Sequence, residues 1–292
     1  MTIVGSGNYT YELIQDWPKL PTGQSLGVVS SVATDSQHRV YAFQRQDPPV
    51  MVFDRDGNYL NCWGIGARTD PHGINIVEDE VYITDRSDHV AVKFTLDGKP
   101  IQVIGERGVF SDTGCENPGD LCPRAAGPFN YCTEMSTSPS GDIYISDGYR
   151  NARVHRFSSE GRLIHSWGQP GKDSPGEFHL VHSLLVDPDG KVYVCDRANR
   201  RVQIFSPEGE FITMWTGMGG PDNIVRDSEG IFYIAEQADE SGDSHVSIWD
   251  ADGTVLERWP IRHAHGLEVD ANGDIYLGLT IEQSVDKYVR QR

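Results

Sequence analysis

The sequence predicts an all-β fold, a six-bladed β-propeller, and three observations lead to it. A strand pattern centred on a tyrosine recurs at steps of 41, 62, 49, 40 and 43 residues, near the period of a four-stranded propeller blade. Apolar and polar residues alternate within short segments bounded by Gly-bearing turns, which is the pattern of strands and hairpins. No segment has a clear helical period. The six tyrosines are Tyr41, Tyr82, Tyr144, Tyr193, Tyr233 and Tyr276.

Each repeat is predicted to contain four strands, and the fourth repeat gives the clearest example. An inner strand ends at the turn 187–190, and a second strand with Tyr193 follows it. An Asp-rich loop then leads to a third strand at 201–205, and another turn leads to an outer strand at 211–215 that ends in Trp. Turns that contain Asp and Gly between such strands are typical of antiparallel hairpins.

The two ends of the chain predict how the ring of blades closes. The last repeat has inner, second and third strands, and the sequence ends without an outer strand for it. Residues 8–21 contain an outer-strand pattern with no repeat of their own. If this segment completes the last blade, the ring closes and two exposed sheet edges disappear. We therefore predict a single domain over residues 1–292, with residues 8–21 as its closing strand.

The longest step between repeats contains an insertion at residues 106–131. It joins an outer strand to the next inner strand, so it should emerge on the face where the inner strands begin. The segment is rich in Gly, Pro, Asp and Cys. It is either an ordered, lid-like loop beside that face or a disordered surface excursion, and the sequence leaves both alternatives open.

Alternate repeats carry a histidine at the same place, where the inner strand begins. In a closed ring of six repeats, three such residues are related by a threefold rotation and converge on the axis. Neutral imidazole is a common zinc donor, and three protein ligands with a fourth position open are typical of a catalytic zinc site. For any single histidine, a packed or hydrogen-bonded role is the alternative. The predicted ligands are His72, His182 and His265, and the equivalent residues of the other repeats are Ser30, Thr133 and Asp222.

Charge and cysteine content restrict the classes of partner. The formal net charge of the 292-residue chain is −18, which argues against nucleic acid, since its binding depends on Lys and Arg. No apolar run approaches the ~18 residues that would cross a membrane. The first residues lack a secretory pattern, and the five cysteines show no CxxC spacing, although Cys115 and Cys122 could pair locally. We expect a cytoplasmic protein that binds neither nucleic acid nor membrane.

Two family resemblances follow from these motifs. The segment 196–205, Asp-Arg-Ala-Asn-Arg-Arg-Val-Gln-Ile-Phe, resembles an NHL repeat. The histidine phrases are similar to those of peptidyl-α-hydroxyglycine α-amidating lyases, six-bladed propellers with an axial zinc on three histidines. The resemblance covers about residues 30–289. It implies zinc on the three histidines, a catalytic Tyr149 within Ser-Asp-Gly-Tyr, and two arginines that hold the substrate, Arg45 and Arg197.

The chain also departs from that family at four positions. Gly266 stands where the family has an aspartate that helps to bind calcium, so the resemblance does not support a structural calcium. Arg150 replaces a family cysteine. Arg86 and Asp222 add a cation and an acid at ring positions where neither is expected, and both are candidates for binding the substrate.

The resemblance implies a metal-dependent carbon–nitrogen lyase. Its substrate would be an N-acyl-α-hydroxyglycine-type carbinolamide, a small carboxylate such as peptidylamidoglycolate or ureidoglycolate, and its products glyoxylate and an amide. Zinc is the expected metal, with another divalent transition metal as the alternative, and the sequence gives no oligomeric state. Arg86 and Arg197 could instead only brace neighbouring loops, and Tyr149 could simply cap a loop. Two further alternatives are a non-catalytic NHL interaction scaffold and a lactonase-like hydrolase, whose calcium would prefer oxygen ligands.

Overall fold

A computed structural model of the protein describes residues 2–66 and 70–291. Its strands form six antiparallel sheets with four strands each, one of which carries a fifth strand, together with a small two-stranded sheet. Helical structure in the described residues is limited to two 3₁₀ turns, Gly7–Tyr9 and Arg197–Asn199. The predicted all-β, six-bladed propeller is confirmed. Within the described part of the chain, no helix has the length and hydropathy needed to span a bilayer.

Blades one to five run through their strands in chain order from the inner to the outer strand. Two strands precede the first blade, β1 Thr2–Val4 and β2 Tyr11–Ile14. Blade one contains β3 Val29–Thr34, β4 Val40–Gln44, β5 Val50–Phe53 and β6 Tyr59–Trp63. Blade two contains β7 Pro71–Val77, β8 Glu80–Asp85, β9 Val90–Thr95 and β10 Pro100–Ile104. Blade three contains β11 Cys132–Thr137, β12 Ile143–Asp147, β13 Arg153–Phe157 and β14 Leu163–Trp167.

The second half of the chain repeats this arrangement. The short strands β15 Gln169–Pro170 and β16 Glu177–Phe178 pair in parallel between blades three and four. Blade four contains β17 Val181–Val186, β18 Val192–Asp196, β19 Arg201–Phe205 and β20 Phe211–Trp215. Blade five contains β21 Pro221–Arg226, β22 Phe232–Glu236, β23 Ser244–Trp249 and β24 Val255–Ile261. Blade six contains β25 Ala264–Val269, β26 Ile275–Leu279, β27 Ser284–Arg290 and the two N-terminal strands.

The chain divides into two compact units, each built from consecutive blades. Residues 72–222 contain blades three and four and nearly all of blade two, and here β11 packs against both β8 and β17. Residues 1–71 and 223–292 contain blades one and six and most of blade five, and here β25 packs against both β3 and β22. The single domain over residues 1–292 stays a prediction, and its terminal residues Met1 and Arg292 lie outside the described residues.

The recurring tyrosines are explained by the turn that precedes them. Asp187 accepts hydrogen bonds from the backbone N–H groups of Asp189 and Lys191, both at 2.9 Å, and from the Tyr193 hydroxyl at 3.3 Å. One carboxylate therefore both closes the turn and fixes the aromatic ring of the next strand. Because this interaction is local, its residue pattern is visible in the sequence. The same tyrosine-to-aspartate bond occurs in blades one, five and six, in the pairs Tyr41–Asp35, Tyr233–Asp227 and Tyr276–Asp270.

The N-terminal segment completes blade six. Strand β2 pairs antiparallel with β27, as predicted for residues 8–21, although the strand itself is shorter. Tyr11 is fully buried and its ring centroid lies 5.3 Å from that of Trp259. Strand β1 then pairs with β2 as a fifth, outermost strand, which the sequence analysis did not predict. Completion of blade six therefore depends on β2, because the residues of β1 are mostly exposed and bury little surface.

Replacing the buried closing residue should destabilise the protein. We expect Tyr11→Ala to lower the free energy of unfolding by about 3–5 kcal/mol, because it removes a fully buried aromatic ring. The matched control is Ile3→Ala on β1, where the side chain is 50% exposed and the expected change is within about 0.5 kcal/mol. Urea denaturation of both variants measures the difference. Equal effects in the two variants would contradict the role assigned to β2.

Candidate metal centre and active site

The second residue of every inner strand is buried, and in four of the six strands the backbone at this position is irregular. In β3, β11, β17 and β25 the pairing register with the next strand shifts across this residue. A bulge of this kind leaves one residue out of the ladder and redirects its side chain. The local backbone therefore sets the direction of these side chains. The six residues are Ser30, His72, Thr133, His182, Asp222 and His265.

The three histidines make the same hydrogen bond, each to a backbone carbonyl of the following inner strand. Within residues 72–222, Nδ1 of His72 lies 2.7 Å from the carbonyl oxygen of Thr133, and Nδ1 of His182 lies 2.6 Å from that of Asp222. In the other unit, Nδ1 of His265 lies 2.7 Å from the carbonyl oxygen of Ser30. A carbonyl oxygen can only accept, so each Nδ1 carries a proton and each neutral ring keeps its lone pair on Nε2.

This donor set fits a transition metal. Metal-bound histidines in proteins commonly donate their other ring N–H to a carbonyl or carboxylate, which fixes the tautomer and the ring orientation. In the unit of residues 72–222, the ring centroids of His72 and His182 are 4.7 Å apart, and their possible ligand atoms lie within 4.8 Å of each other. Both rings are almost completely buried. The pair is therefore preorganised as two neutral nitrogen donors of the type that zinc prefers.

Tyr149 follows strand β12 and brings a hydroxyl group to this histidine pair. Its hydroxyl oxygen lies 3.0 Å from Nε2 of His182, and its ring meets that of His72 edge-on at 5.2 Å between centroids. Because Nε2 of His182 carries the lone pair, the tyrosine donates this hydrogen bond. Nη1 of Arg197 in turn donates to the Tyr149 hydroxyl at 3.4 Å. The phenol oxygen is thus held between a base and a cation.

Gly148 explains why the phrase Ser-Asp-Gly-Tyr needs glycine before the tyrosine. A Cβ atom at this position would lie 2.0 Å from the carbonyl oxygen of Val181 and 2.4 Å from its backbone nitrogen. The loop that carries Tyr149 therefore packs directly on the backbone at the start of β17, one residue before His182. On the other side, Asp147 is buried and accepts the backbone N–H of Asn130 at 3.0 Å.

Arg197 and Asp222 form an ion pair beside Tyr149. Nη1 of Arg197 lies 2.9 Å from Oδ1 of Asp222, with the side chains 13% and 0% exposed. Burial alone would lower the pKa of Arg197, but the neighbouring Asp222 carboxylate more than offsets it, so the pKa lies above its usual value. The Asp222 carboxylate also lies 3.6 Å from Nδ1 of His182. Direct contact of Asp222 with a substrate stays a prediction.

Arg86 is the second guanidinium next to Tyr149. Its Cζ lies 4.7 Å from the centroid of the Tyr149 ring and 5.7 Å from that of Tyr131. The Cζ of Arg197 lies 5.3 Å from the same Tyr149 centroid. The loops that follow the second strands of blades two, three and four thus supply Arg86, Tyr149 and Arg197 to one cluster.

Arg45 lies in the other unit, in the loop after β4. Its Nε donates to the carbonyl oxygen of Pro71 at 3.1 Å and lies 3.4 Å from the Asp70 carboxylate. Pro71 is the residue directly before His72 in the sequence. Arg45 therefore braces the backbone that leads into an inner strand, and its predicted contact with substrate stays a prediction.

The insertion 106–131 is tied to Tyr149 and Arg150 by hydrogen bonds. The backbone N–H of Gly119 donates to the Tyr149 carbonyl at 2.6 Å, and the Thr113 hydroxyl donates to the Arg150 carbonyl at 2.6 Å. Nε of Arg150 donates to the Cys115 carbonyl at 2.8 Å. These bonds join the insertion to the loop that carries Tyr149, and its place as a lid-like loop beside the site stays a prediction. The cysteines for which local pairing was considered, Cys115 and Cys122, are both free thiols.

Two features of the site were missed in the sequence. Ser30 and Thr133 were recognised as the repeat equivalents of the histidines, but the role of their backbone carbonyls as hydrogen-bond acceptors was not predicted. Their matching position in the repeat is the sequence signal that could have indicated this role. Tyr131, which contacts Arg86, lies at the end of the irregular insertion, where no repeat pattern indicates a role.

Comparison with known proteins gives three kinds of similarity. Residues 178–205 match the NHL repeat model. The chain is 31% identical over 305 residues to human NHL repeat-containing protein 3, covering 96% of this chain and 84% of that protein. It is 24% identical over 294 residues to a probable peptidyl-alpha-hydroxyglycine alpha-amidating lyase of Caenorhabditis elegans, covering 87% and 80%. A solved gluconolactonase structure from Xanthomonas campestris superposes with a TM-score of 0.68 at 13% identity, covering 96% of this chain and 90% of that one. At this level of identity the similarity shows a common fold and nothing about function.

The tight contact at Gly148 gives a stability prediction. We expect Gly148→Ala to lower the free energy of unfolding by at least about 1–3 kcal/mol, since its Cβ would meet the Val181 backbone, which cannot rotate away. The control is Gly127→Ala in the insertion, where an added Cβ meets nothing within 4 Å. Thermal or urea unfolding of the two variants checks this. A Gly148→Ala variant as stable as Gly127→Ala would contradict the packing described.

Proposed function

The chain belongs to the family of NHL repeat-containing proteins, and we propose that it is a metal-dependent carbon–nitrogen lyase. Its substrate is an N-acyl-α-hydroxyglycine-type carbinolamide, either a peptidylamidoglycolate or a small analogue such as ureidoglycolate. The reaction breaks the bond between the hydroxyl-bearing carbon and the amide nitrogen. It releases glyoxylate and an amide.

The observation that carries this proposal is the common hydrogen bond of the three histidines. Three buried rings, one on every second inner strand, each present a protonated Nδ1 to a backbone carbonyl and keep Nε2 as a donor. An interaction scaffold has no use for such a set, whereas a metal site requires it. The relative of Caenorhabditis elegans that is named an amidating lyase supports the same reaction class.

The residues proposed to hold the metal are His72, His182 and His265, with zinc as the preferred ion. A divalent zinc ion would supply Lewis acidity, which polarises the substrate hydroxyl and lowers its pKa. Three neutral nitrogen donors suit zinc or a neighbouring transition metal, and they suit calcium poorly.

Tyr149 is proposed to move the proton. Its hydroxyl oxygen is bonded to both His182 and Arg197, so it has a base on one side and a cation on the other. In the proposed reaction, Nε2 of His182 would hold the metal instead of accepting the hydrogen bond, and Tyr149 acts as a phenolate beside Arg197. It accepts the proton of the substrate hydroxyl and returns it to the amide nitrogen as the C–N bond breaks. The oxygen lone pair forms the carbonyl of glyoxylate, and the bonding pair leaves with nitrogen. No water is consumed.

The arginines of the site are proposed to bind the substrate carboxylate. The family resemblance implies Arg45 and Arg197, and Arg86 is a third candidate beside Tyr149. Guanidinium groups bind carboxylates through charge-assisted bonds that are often bidentate. Such a contact would orient the hydroxyl-bearing carbon towards the histidines.

Metal content is the first test of the proposal. We expect protein purified without a His tag to contain about one zinc per chain by plasma mass spectrometry, and we expect His182→Ala and His265→Ala to lose it. His165→Ala on the exposed face of β14 is the control that should keep the metal. The absence of a transition metal from all four proteins would favour the scaffold alternative.

Replacement of the proposed proton carrier tests the chemistry. We expect Tyr149→Phe to lower kcat for glyoxylate release by about 10²–10⁴-fold, with the metal content unchanged. The control is Tyr193→Phe, which loses a hydroxyl that is bonded to the turn residue Asp187 and should retain activity. If Tyr149→Phe cleaves N-acyl-α-hydroxyglycines as fast as the parent protein, Tyr149 does not carry the proton.

A further inference from the structure

The insertion contains two buried cysteines that meet across a short loop. Sγ of Cys115 lies 3.8 Å from the carbonyl oxygen of Asp120, and Sγ of Cys122 lies 3.9 Å from the same oxygen. The Cys122 thiol is also hydrogen-bonded to the Cys115 thiol. Both residues are buried. The two sulfur atoms therefore lie together inside the loop, in the reduced form, since both are free thiols.

The backbone around the pair is already folded back on itself. The backbone N–H of Arg124 donates to the carbonyl oxygen of Thr113 at 3.3 Å, and that of Asp120 donates to the carbonyl oxygen of Asn117 at 3.2 Å. The Asn117 side chain also donates to the Asp120 carboxylate at 2.9 Å. A disulfide forms without strain only where the backbone brings the two cysteines close together. These hydrogen bonds do so, and a crosslink fits the existing path of the chain.

The other three cysteines are held in strands and are poor competitors for either thiol. Cys132 and Cys195 are fully buried in β11 and β18, and Cys62 lies in β6 of the other unit. Burial raises the pKa of both Cys132 and Cys195 well above the usual value for a thiol. Since the thiolate is the reactive form, neither residue is suited to exchange with a disulfide. The chemistry of the insertion pair is therefore local.

The surroundings of the pair favour a lasting crosslink over rapid redox exchange. Burial, and then the hydrogen bond to Cys115, raises the pKa of the Cys122 thiol. A scarce thiolate makes exchange with a disulfide in solution slow. The same burial shields a disulfide, once formed, from attack by thiols in solution. The pair is thus suited to a structural role.

We propose that Cys115 and Cys122 form an intrachain disulfide when the protein is exposed to oxidising surroundings. Oxidation breaks the two S–H bonds and forms one S–S bond. The two electrons and the two protons pass to a low-molecular-weight disulfide such as oxidised glutathione, which is reduced to two thiols. The reaction is therefore balanced without any group from the candidate active site.

The crosslink would stiffen the part of the insertion that is bonded to the loop after β12. Within the loop that the disulfide would close, Gly119 donates its backbone N–H to the Tyr149 carbonyl at 2.6 Å. The carbonyl of Cys115 accepts a hydrogen bond from Nε of Arg150 at 2.8 Å. A disulfide restricts the open states of a loop more than the closed one. Oxidation should therefore make opening of this segment rarer.

The first experiment maps the thiols by mass spectrometry. The protein is incubated in glutathione buffers from reducing to oxidising, with and without sub-denaturing urea to expose buried thiols. It is then alkylated with N-ethylmaleimide and digested with trypsin. Cleavage after Arg107 and Arg124 places both cysteines in one peptide. We expect two adducts on this peptide in reducing buffer, and in oxidising buffer a peptide with no adduct that is lighter by two hydrogen atoms.

Two adducts in every buffer, or glutathione attached to one cysteine in place of the intrachain bond, would overturn the inference. The double variant Cys115→Ser/Cys122→Ser cannot form the bond and identifies any signal from other thiols. Cys62→Ser is the matched control and should form the disulfide like the parent protein.

Hydrogen exchange tests whether the bond stiffens the loop. We expect the disulfide to slow exchange of the backbone amides of residues 115–122 by about 10–100-fold relative to the reduced protein, with the bond reduced only after the exchange is quenched. The double variant should exchange at the same rate in both buffers. A disulfide that leaves these rates unchanged would overturn the proposed stiffening. Neither readout involves glyoxylate release, so this inference and the lyase proposal fail independently.

Discussion

The candidate site depends on one repeated interaction, the hydrogen bond from a histidine Nδ1 to the carbonyl of the next inner strand. It occurs at His72, His182 and His265, at distances of 2.6–2.7 Å. The bond fixes the tautomer, sets the ring orientation and ties each histidine-bearing blade to its successor. Gly73 and Gly266, which follow two of these histidines, allow the close approach, since a Cβ at either would meet the backbone of the next inner strand within 2.6 Å. The phrase His-Gly therefore describes a packing requirement as well as a candidate ligand.

The surroundings of Tyr149 show how a propeller with a net charge of −18 can present a cationic site. Aromatic rings and guanidinium groups alternate from the insertion to the histidines, with Cζ-to-centroid distances of 4.7–5.8 Å. Stacking of this kind stabilises a cation that is partly removed from water. The insertion is joined to this series by its hydrogen bonds to Tyr149 and Arg150. The order of the series is Phe110, Arg150, Tyr131, Arg86, Tyr149 and Arg197.

The blades and the histidine register could be predicted because their causes are local and repeated. The aspartate turn that fixes Tyr193 involves residues only six positions apart, and the same pattern recurs in other blades. Contacts between distant segments left no such pattern. The pairing of Asp222 with Arg197, 25 residues away, and the packing of Tyr131 depend on how irregular loops meet. Strand β1 was not predicted, because its few exposed residues carry no alternation that distinguishes a strand from a tail.

The most direct measurement is zinc K-edge X-ray absorption spectroscopy of the tag-free protein and of the His265→Ala variant. We expect three imidazole nitrogens at about 2.0–2.1 Å and one oxygen ligand in a four-coordinate shell, and loss of one imidazole or of the metal in the variant. A six-coordinate shell of oxygen ligands, or a spectrum unchanged by His265→Ala, would contradict the claim that the three histidines hold one metal.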